Sequence, residues 1–284
     1  MRLIQTGRKP GWLKIKIPAG KEYLSVREIV ERNRLNTICS SGHCPNVADC
    51  WGRRTATFMI LGDICTRSCK FCGVKTGRPA KPDPDEPRRI AESVRDMSLK
   101  HAVLTSVDRD DLPDGGSGHW AQTITAVKSM NPGTTLEVLI PDFSNDHSAL
   151  QRVADVRPEI ISHNIETVRR LTSGVRSVAR YDRSLKVLEY LAKTGIRVKS
   201  GIMLGLGETR EEILETLADL HKAGCEVVTI GQYLQPTRKQ LPVVEYLSPG
   251  YFKDLEIAAH EMGFRHVESG PLVRSSFHAE KHVI

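Results

Sequence analysis

From residue 55 onward the sequence alternates short apolar segments with longer segments of helical periodicity, a pattern that restricts the chain to stacked parallel β/α units. Six segments read as strands: TATFMILG (55–62), HAVLTSV (101–107), TLEVLI (135–140), EIISHNIE (159–166), RVKSGIML (197–204) and EVVTIGQYL (226–234). Between them, SLKVLEYLAKTG and REEILETLADLHKAG carry apolar stripes at helical spacing, and each ends in a glycine suited to a left-handed C-cap. Those stripes are packing surfaces for a sheet. The expected fold class is α/β, a partial (β/α)6 barrel of the TIM type, in which loops at the C-terminal ends of the strands carry the active site. A chain of 284 residues can hold one such barrel with extensions at both ends.

With 39% hydrophobic and 26% charged residues the composition is that of a globular protein, and no apolar run approaches the roughly 18 residues of a membrane span. The N-terminal stretch MRLIQTGRKPGWLKIKIPAGK is basic but lacks an apolar h-region, and Pro10 and Pro18 would interrupt an amphipathic transit helix. It reads as mature sequence, so a cytoplasmic protein with no membrane partner is expected. The balance of 41 Lys and Arg against 34 Asp and Glu gives +7, which favours acidic partners. The basic residues are spread along the chain, with no basic run interleaved with aromatics, so no nucleic-acid partner is expected. A surface that steers an acidic protein fits the charge as well.

Six of the seven cysteines, Cys39, Cys44, Cys50, Cys65, Cys69 and Cys72, fall within 34 residues, while Cys225 stands alone in an apolar setting that suits a buried small hydrophobe. In a secreted chain six cysteines would suggest disulfides, but a chain this long builds a core without staples. Metal ligation remains. The window divides into C-x4-C-x5-C (39–50) and C-x3-C-x2-C (65–72). A structural zinc site takes four protein ligands, so each triplet would have to borrow one; His43 could complete the first, and nothing comparable completes the second. A 4Fe-4S cluster held by three thiolates leaves one iron open to another ligand, and soft thiolates suit iron and sulfide. A loop such as CTRSCKFC can wrap three corners of one cube with Phe71 as a shield, and it directly follows the first strand. The acid-rich TSVDRDDLPDGGSGHW (105–120) follows the second strand; Pro113 and the missing terminal Glu break calcium-loop spacing, which leaves a cofactor-facing loop as its reading.

CTRSCKFC resembles the signature of the radical SAM superfamily, CxxxCxxC with an aromatic before the last cysteine. The resemblance implies that Cys65, Cys69 and Cys72 hold a 4Fe-4S cluster whose open iron takes S-adenosylmethionine, which is cleaved reductively to a 5'-deoxyadenosyl radical. GIMLGLGE (201–208) resembles the superfamily's GxIxGxxE, with Met203 in the Ile position. In relatives that strand edge receives the adenine, which makes Met203 and Gly205 cofactor-binding candidates; tight packing is the other reading of the glycines. In SHNIE (162–166), Asn164 and Glu166 lie two apart on one strand face. The resemblance assigns them to the cofactor's ribose or amino-acid portion, with a cap or ion pair as the alternative for Glu166.

The first triplet, CPN (44–46), TSVDRDDLPDGG, IETVRRL (165–171), QYLQPTRKQLPV (232–243) and RSSFHA (274–279) together resemble lipoyl synthases, from GWLKIKIP near residue 11 to residue 279. Phe277 stands where that family usually has Tyr. The resemblance implies sulfur insertion at carbons six and eight of an octanoyl group amide-linked to a lysine of a lipoyl carrier domain. The sulfur would come from a second, auxiliary 4Fe-4S cluster held by Cys39, Cys44, Cys50 and a serine of the C-terminal motif, Ser276 or its neighbour Ser275, with Ser276 carried over. Those C–H bonds are unactivated, so no acid, base or nucleophile is expected among the catalytic groups. Expected partners are octanoylated carrier domains of 2-oxoacid dehydrogenase complexes or the glycine cleavage H protein, an electron donor of flavodoxin or ferredoxin type, and an iron–sulfur carrier for cluster repair. The expected organisation is an auxiliary-cluster extension (1–54), a barrel (55–250) and a C-terminal helix and tail (251–284).

Overall fold

The computed structural model describes residues 9–15, 20–53 and 55–283, so residues 16–18 of the GWLKIKIP segment lie outside the described residues. Helix α1 (Lys21–Arg32) buries Val26, Ile29 and Val30, one face at helical spacing. Strand β1 (Asn36–Thr37) and the short helices α2 (Ile38–Ser41) and α3 (Val47–Gly52) follow. Next come β2 (Thr57–Ile60), a small ribbon of β3 (Ile64–Cys65) and β4 (Lys75–Thr76), α4 (Glu86–Asp96) and β5 (His101–Ser106). The alternation continues through α5 (Ser117–Met130), β6 (Thr135–Leu139), α6 (His147–Asp155), β7 (Ile160–Ser162), α7 (Arg169–Val175) and α8 (Tyr181–Ala192). It ends with β8 (Arg197–Leu204), α9 (Arg210–Lys222), β9 (Val227–Gln232), α10 (Pro249–Glu261) and β10 (His266–Gly270), before a 3-10 turn at Ala279–His282. Among the described residues no helix is long and apolar enough to cross a membrane.

Eight strands form one sheet in the order β1-β2-β5-β6-β7-β8-β9-β10. Every neighbouring pair is parallel except β1 with β2. Strands β2 and β9 are buried along their whole length, as a parallel sheet covered by helices requires. This is the partial α/β barrel that the sequence pattern predicts, with two strands more than the six it marks out. Strand β10 escapes the pattern because HVESG is short and half-buried throughout, and it carries the sheet beyond residue 250, which itself falls inside α10. Strand β7 is shorter than EIISHNIE: the backbone leaves the ladder after Ser162 and returns only for a bridge from Glu166 to Ile202, with Glu166 at φ 70°.

The barrel interior is unusually polar. Register places Thr57 opposite Val103 and Val103 opposite Glu137, with Met59, Thr105, Leu139, Ser162, Lys199 and Val227 as the next row. The residues after β10 run down past this interior. Ser275 meets Asn164, Ser276 meets Thr57 at the start of β2, and His282 reaches Lys199 and Arg197 near the start of β8. Gly231 makes that path possible, because a Cβ there would lie 2.2 Å from the Val273 carbonyl oxygen. Gly231→Ala should therefore push the tail off the sheet. Hydrogen exchange across residues 272–283 is expected to rise by roughly tenfold or more with β9 still protected; an unchanged tail would show that this contact does not hold it.

Candidate active site

The loop of the second cysteine triplet is built on the two-residue ribbon, where Ile64 pairs with Lys75 and Cys65 with Thr76, so its two ends are pinned together. The backbone N–H groups of Arg67 and Asp108 donate to the Cys65 sulfur at 3.4 and 3.3 Å, and the Ser68 N–H donates to Ser177 at 3.1 Å. The Lys70 N–H donates to the Val175 carbonyl at 2.9 Å. Arg67 is the brace. Buried to 4% exposure, its guanidinium contacts Asp110 at 2.7 Å, Asp142 at 2.8 Å and Asp108 at 3.2 Å. These pairs consume acids of the 105–120 loop, while Arg109 takes Asp111 and the carbonyls of Leu61 and Ala80. Of that loop, Thr105, Ser106, Val107 and Asp108 line the cavity described next, and the acids beyond them brace Arg67 and Arg109.

A cavity of about 340 Å³ lies at the C-terminal mouth of the barrel and extends into it, within the usual size range for a small-molecule site. Cys39 and Cys44 of the first triplet and Cys65, Cys69 and Cys72 of the second line it, with Asn164, Glu166, Met203, Ser275 and Ser276. Cys50 joins Cys39, Cys44, Ser276 and Arg274 around a small adjoining cavity. All seven cysteines are free thiols, and Cys225 is buried away from both cavities, behind α9. Among the described residues no three His, Cys, Asp or Glu side chains are grouped as a single metal ion would need. A polynuclear cluster asks for something else, since each corner thiolate binds its own iron.

The electrostatics show which thiols face one another. Burial pushes Cys39 up to about 12, and the charges of Cys44 and Cys50 add to it. Burial lifts Cys50 to about 11, again with a contribution from Cys44. In the second triplet burial raises Cys65 to about 12, helped by Asp108 and Cys72, and Cys72 to about 11, helped by Cys69. Burial and neighbouring sulfur thus raise Cys39 and Cys50 in the first triplet and Cys65 and Cys72 in the second, so these four thiols would stay protonated at neutral pH without a metal. Soft metal centres reverse that balance, because ligation removes the protons. The donor sets therefore fit thiolate-held clusters.

Asn164 donates to Glu166 at 3.1 Å and to Ser275 at 2.7 Å. Burial raises the Glu166 carboxyl against the opposing pull of Arg176 and Asn164. Gly205 stands apart from the cavity lining. Its φ of 102° and the Gln232 amide, 2.1 Å from where a Cβ would sit, make it a packing and turn position. Glu208 accepts from the backbone N–H groups of Gly205 and Leu206 and so holds the GLGE turn. Ser275 and Ser276 differ in address: Thr57 donates to Ser276 at 2.8 Å, and Ser276 alone of the two also lines the small cavity with the whole first triplet. Three further side chains hold the site together; Gln232 and Arg274 open the motifs QYLQPTRKQLPV and RSSFHA, and Arg176 lies outside any motif. Arg176 lines the cavity and donates to the carbonyls of Asn164 and Ile165; Gln232 ties β8 to the segment before α10; Arg274 donates to the Gln232 and Val273 carbonyls and lowers the Cys44 thiol against burial.

The Radical SAM superfamily profile matches residues 59–231. Solved structures agree on the fold. The FeFe-hydrogenase maturase HydG of Carboxydothermus hydrogenoformans aligns with a TM-score of 0.58 at 14% identity, over 91% of this chain and 76% of that one. Methylornithine synthase (PylB) aligns at 0.56 and 13% identity, over 86% and 82%. A partial parallel barrel with a three-cysteine loop after its first parallel strand is thus that of a radical SAM enzyme, a class that works with a 4Fe-4S cluster and S-adenosylmethionine. Lipoyl synthases of Flavobacterium psychrophilum and Flavobacterium johnsoniae are each 60% identical over 277 residues, covering 97% of this chain and 96% of theirs. The mitochondrial lipoyl synthase of Nematostella vectensis is 60% identical over 276 residues, 97% of this chain and 95% of its own. The chain belongs to the lipoyl synthase family and is an enzyme of lipoyl cofactor synthesis.

The Arg67 brace sets an acid limit on the cysteine loop. Burial alone would raise the Asp142 carboxyl, but the charge and hydrogen bond of Arg67 and the Ser144 N–H bring it down to about 2. A depressed folded value means stabilisation present above the ordinary carboxylate range and lost as pH falls from about 4 through about 2, worth about 2 kcal/mol. Asp142→Asn in the cluster-free protein should lose about that much stability at pH 7 and show a flatter acid limb in urea unfolding. Parallel acid limbs for the two proteins would remove Asp142 from the account.

Proposed function

We propose that this enzyme inserts sulfur at carbons six and eight of an octanoyl group amide-linked to a lysine of a lipoyl carrier domain. The carriers are those of 2-oxoacid dehydrogenase complexes or the glycine cleavage H protein, and the reaction takes place in the cytoplasm. What supports the reading is one observation: thiols of both triplets and both tail serines share a single cavity. Cys65, Cys69 and Cys72 would hold the 4Fe-4S cluster that works with S-adenosylmethionine, and Cys39, Cys44, Cys50 and Ser276 an auxiliary 4Fe-4S cluster that supplies the sulfur. With their cofactor bound, these sites would supply a carbon radical strong enough to break unactivated C–H bonds.

The chain's own groups bind, orient and exclude water. Asn164 and Glu166 present an amide and a carboxylate to the cavity from one strand end, suited to the hydroxyl and ammonium groups of S-adenosylmethionine. Met203 offers an apolar surface beside them, and Gly205 keeps the turn behind it in place. Phe71, packed with Met203 around Tyr233 and Leu206, lines the same cavity as the second triplet and would shield a cluster there on one side. Met59, Val103, Leu139 and Ile202 give the cavity apolar walls for an alkyl chain. An electron donor of flavodoxin or ferredoxin type and an iron–sulfur carrier complete the cycle as partners.

The first test is chemical. Anaerobically prepared protein should carry about eight iron and eight sulfide, two clusters' worth, and convert an octanoylated carrier domain while ignoring dethiobiotin; colourless protein with stoichiometric zinc would refute the assignment. Substitution should separate the triplets. Cys69→Ala is expected to bring S-adenosylmethionine cleavage to background, whereas Cys44→Ala should retain cleavage and form no lipoyl product. Normal cleavage by the Cys69 variant would reverse the roles. Ser276 supplies a hydroxyl, a poorer ligand for soft iron than a thiolate and one that protonation releases. Ser276→Cys should therefore hold iron at least as well as the natural protein but form product roughly tenfold more slowly, a barrier rise of about 1.4 kcal/mol, in single-turnover assays. Full-speed product formation would mean that lability at this ligand does not govern the reaction.

A further inference from the structure

A stretch that follows the last strand of a sheet stays loose unless something ties it down. Here the tie is visible. His282 is only 1% exposed and lies under the barrel among groups that no step of the proposed chemistry uses. Lys199 on β8 is equally buried, and Glu137 on β6 is fully so. The Lys199 ammonium sits 2.8 and 2.9 Å from the two Glu137 carboxylate oxygens and 3.2 Å from Nδ1 of His282. Glu137 also accepts the Ser162 hydroxyl at 3.1 Å and lines the main cavity.

We infer that His282 latches the C-terminal tail onto the buried Lys199–Glu137 pair, and that this latch holds Ser276 in position at the first cysteine triplet. The inference rests on the reading of Ser276 as a cluster ligand. An ammonium has three protons to place. The Glu137 carboxylate takes part of that demand and the imidazole takes the rest, so a departing tail leaves a buried cation short of an acceptor. To accept at Nδ1 the ring must be neutral. Burial, Lys199 and the nearby His266, His101 and His278 keep it so, with a value pulled down to about 3. Arg197 adds a second hold by donating to the His282 carbonyl at 2.6 Å. Between latch and ligand there is little slack. Ala279 is buried, Ala279–His282 form a 3-10 turn, and the Phe277 N–H bonds the Arg274 carbonyl at 2.9 Å on the other side of Ser276. A displacement at residue 282 is therefore carried to residue 276.

His282 is a positioning residue on this account and touches no reacting atom. Substitutions at Lys199 or Glu137 would strand a buried charge and risk misfolding, so the test uses position 282 in the full-length protein with both clusters installed. His282→Ala is compared with His282→Asn, whose Oδ1 stands close to the place of Nδ1. The measurements are hydrogen exchange of residues 272–283, iron retained after challenge with a chelator, and 5'-deoxyadenosine formation. For His282→Ala the tail should exchange roughly tenfold faster, and chelation should take iron from about eight to about four per chain. Deoxyadenosine formation should persist, and His282→Asn should restore both tail protection and iron. An unloosened tail in His282→Ala overturns the latch, and failure of Asn to rescue overturns the Lys199 hydrogen bond as its basis. A loosened tail with all its iron retained overturns instead the reading of Ser276 as a ligand.

Discussion

A parallel sheet that stops short of closing must fill the gap between its first and last strands with something other than strand pairing. Here the filler comes from both ends of the chain. The segment from β1 to α3 covers one edge, with Asn36 paired to Met59 and Thr37 to Phe58, and the residues after β10 run along the interior from Gly231 to Thr57 and Lys199. The halves are joined by Asn46, which donates to the Leu272 carbonyl at 2.6 Å, and by Thr57, which donates to Ser276. Those contacts span more than 200 residues of sequence, so the first triplet and the tail meet only in a completed barrel. The need to plug an open barrel and the need to assemble a site are met by the same polypeptide.

The two triplets sit in different fields. Cys65 and Cys72 feel Asp108, and Cys72 feels Glu166 as well, whereas Cys44 feels Arg274 and Cys50 feels Arg53. Nearby negative charge disfavours adding an electron to a bound cluster, and nearby positive charge favours it. Arg274 reaches Cys44 because the tail passes alongside Gly231.

Much of this was legible in the sequence for physical reasons. Parallel strands buried on both faces leave long apolar runs such as TFMI and VVTIGQ, and thiols gathered for one centre leave short spacings such as CTRSCKFC. Contributors that act through long-range contacts leave no such trace. Arg67 lies inside the best-marked motif, yet its three carboxylate partners come from two distant loops, and Arg176 sits in an unremarkable GVRSVAR. Strand β10 was hidden because His266, Glu268 and Ser269 break the hydrophobic pattern; Glu268 faces His278 and His282 of the tail instead of an apolar layer. Gly205 matches a cofactor motif, and its lack of a side chain also leaves room for the Gln232 amide.

The polar column inside the barrel is the least economical feature of the fold, since a hydrocarbon filling of equal volume is often as stable as a buried ion pair or more so. Its position gives it a use. The upper cavity is walled by Met59, Leu139 and Ile202, and Glu137 lines the same cavity lower down, level with Val103, with Lys199 behind it. An alkyl chain gains free energy along those walls and loses it on displacing the hydrogen bonds of a buried carboxylate. The ion pair therefore gives the cavity a floor for apolar ligands while its far side remains available to the tail. A hydrocarbon core at the same place would offer neither a floor nor an acceptor-hungry cation for His282, and the segment after β10 would lose that specific contact.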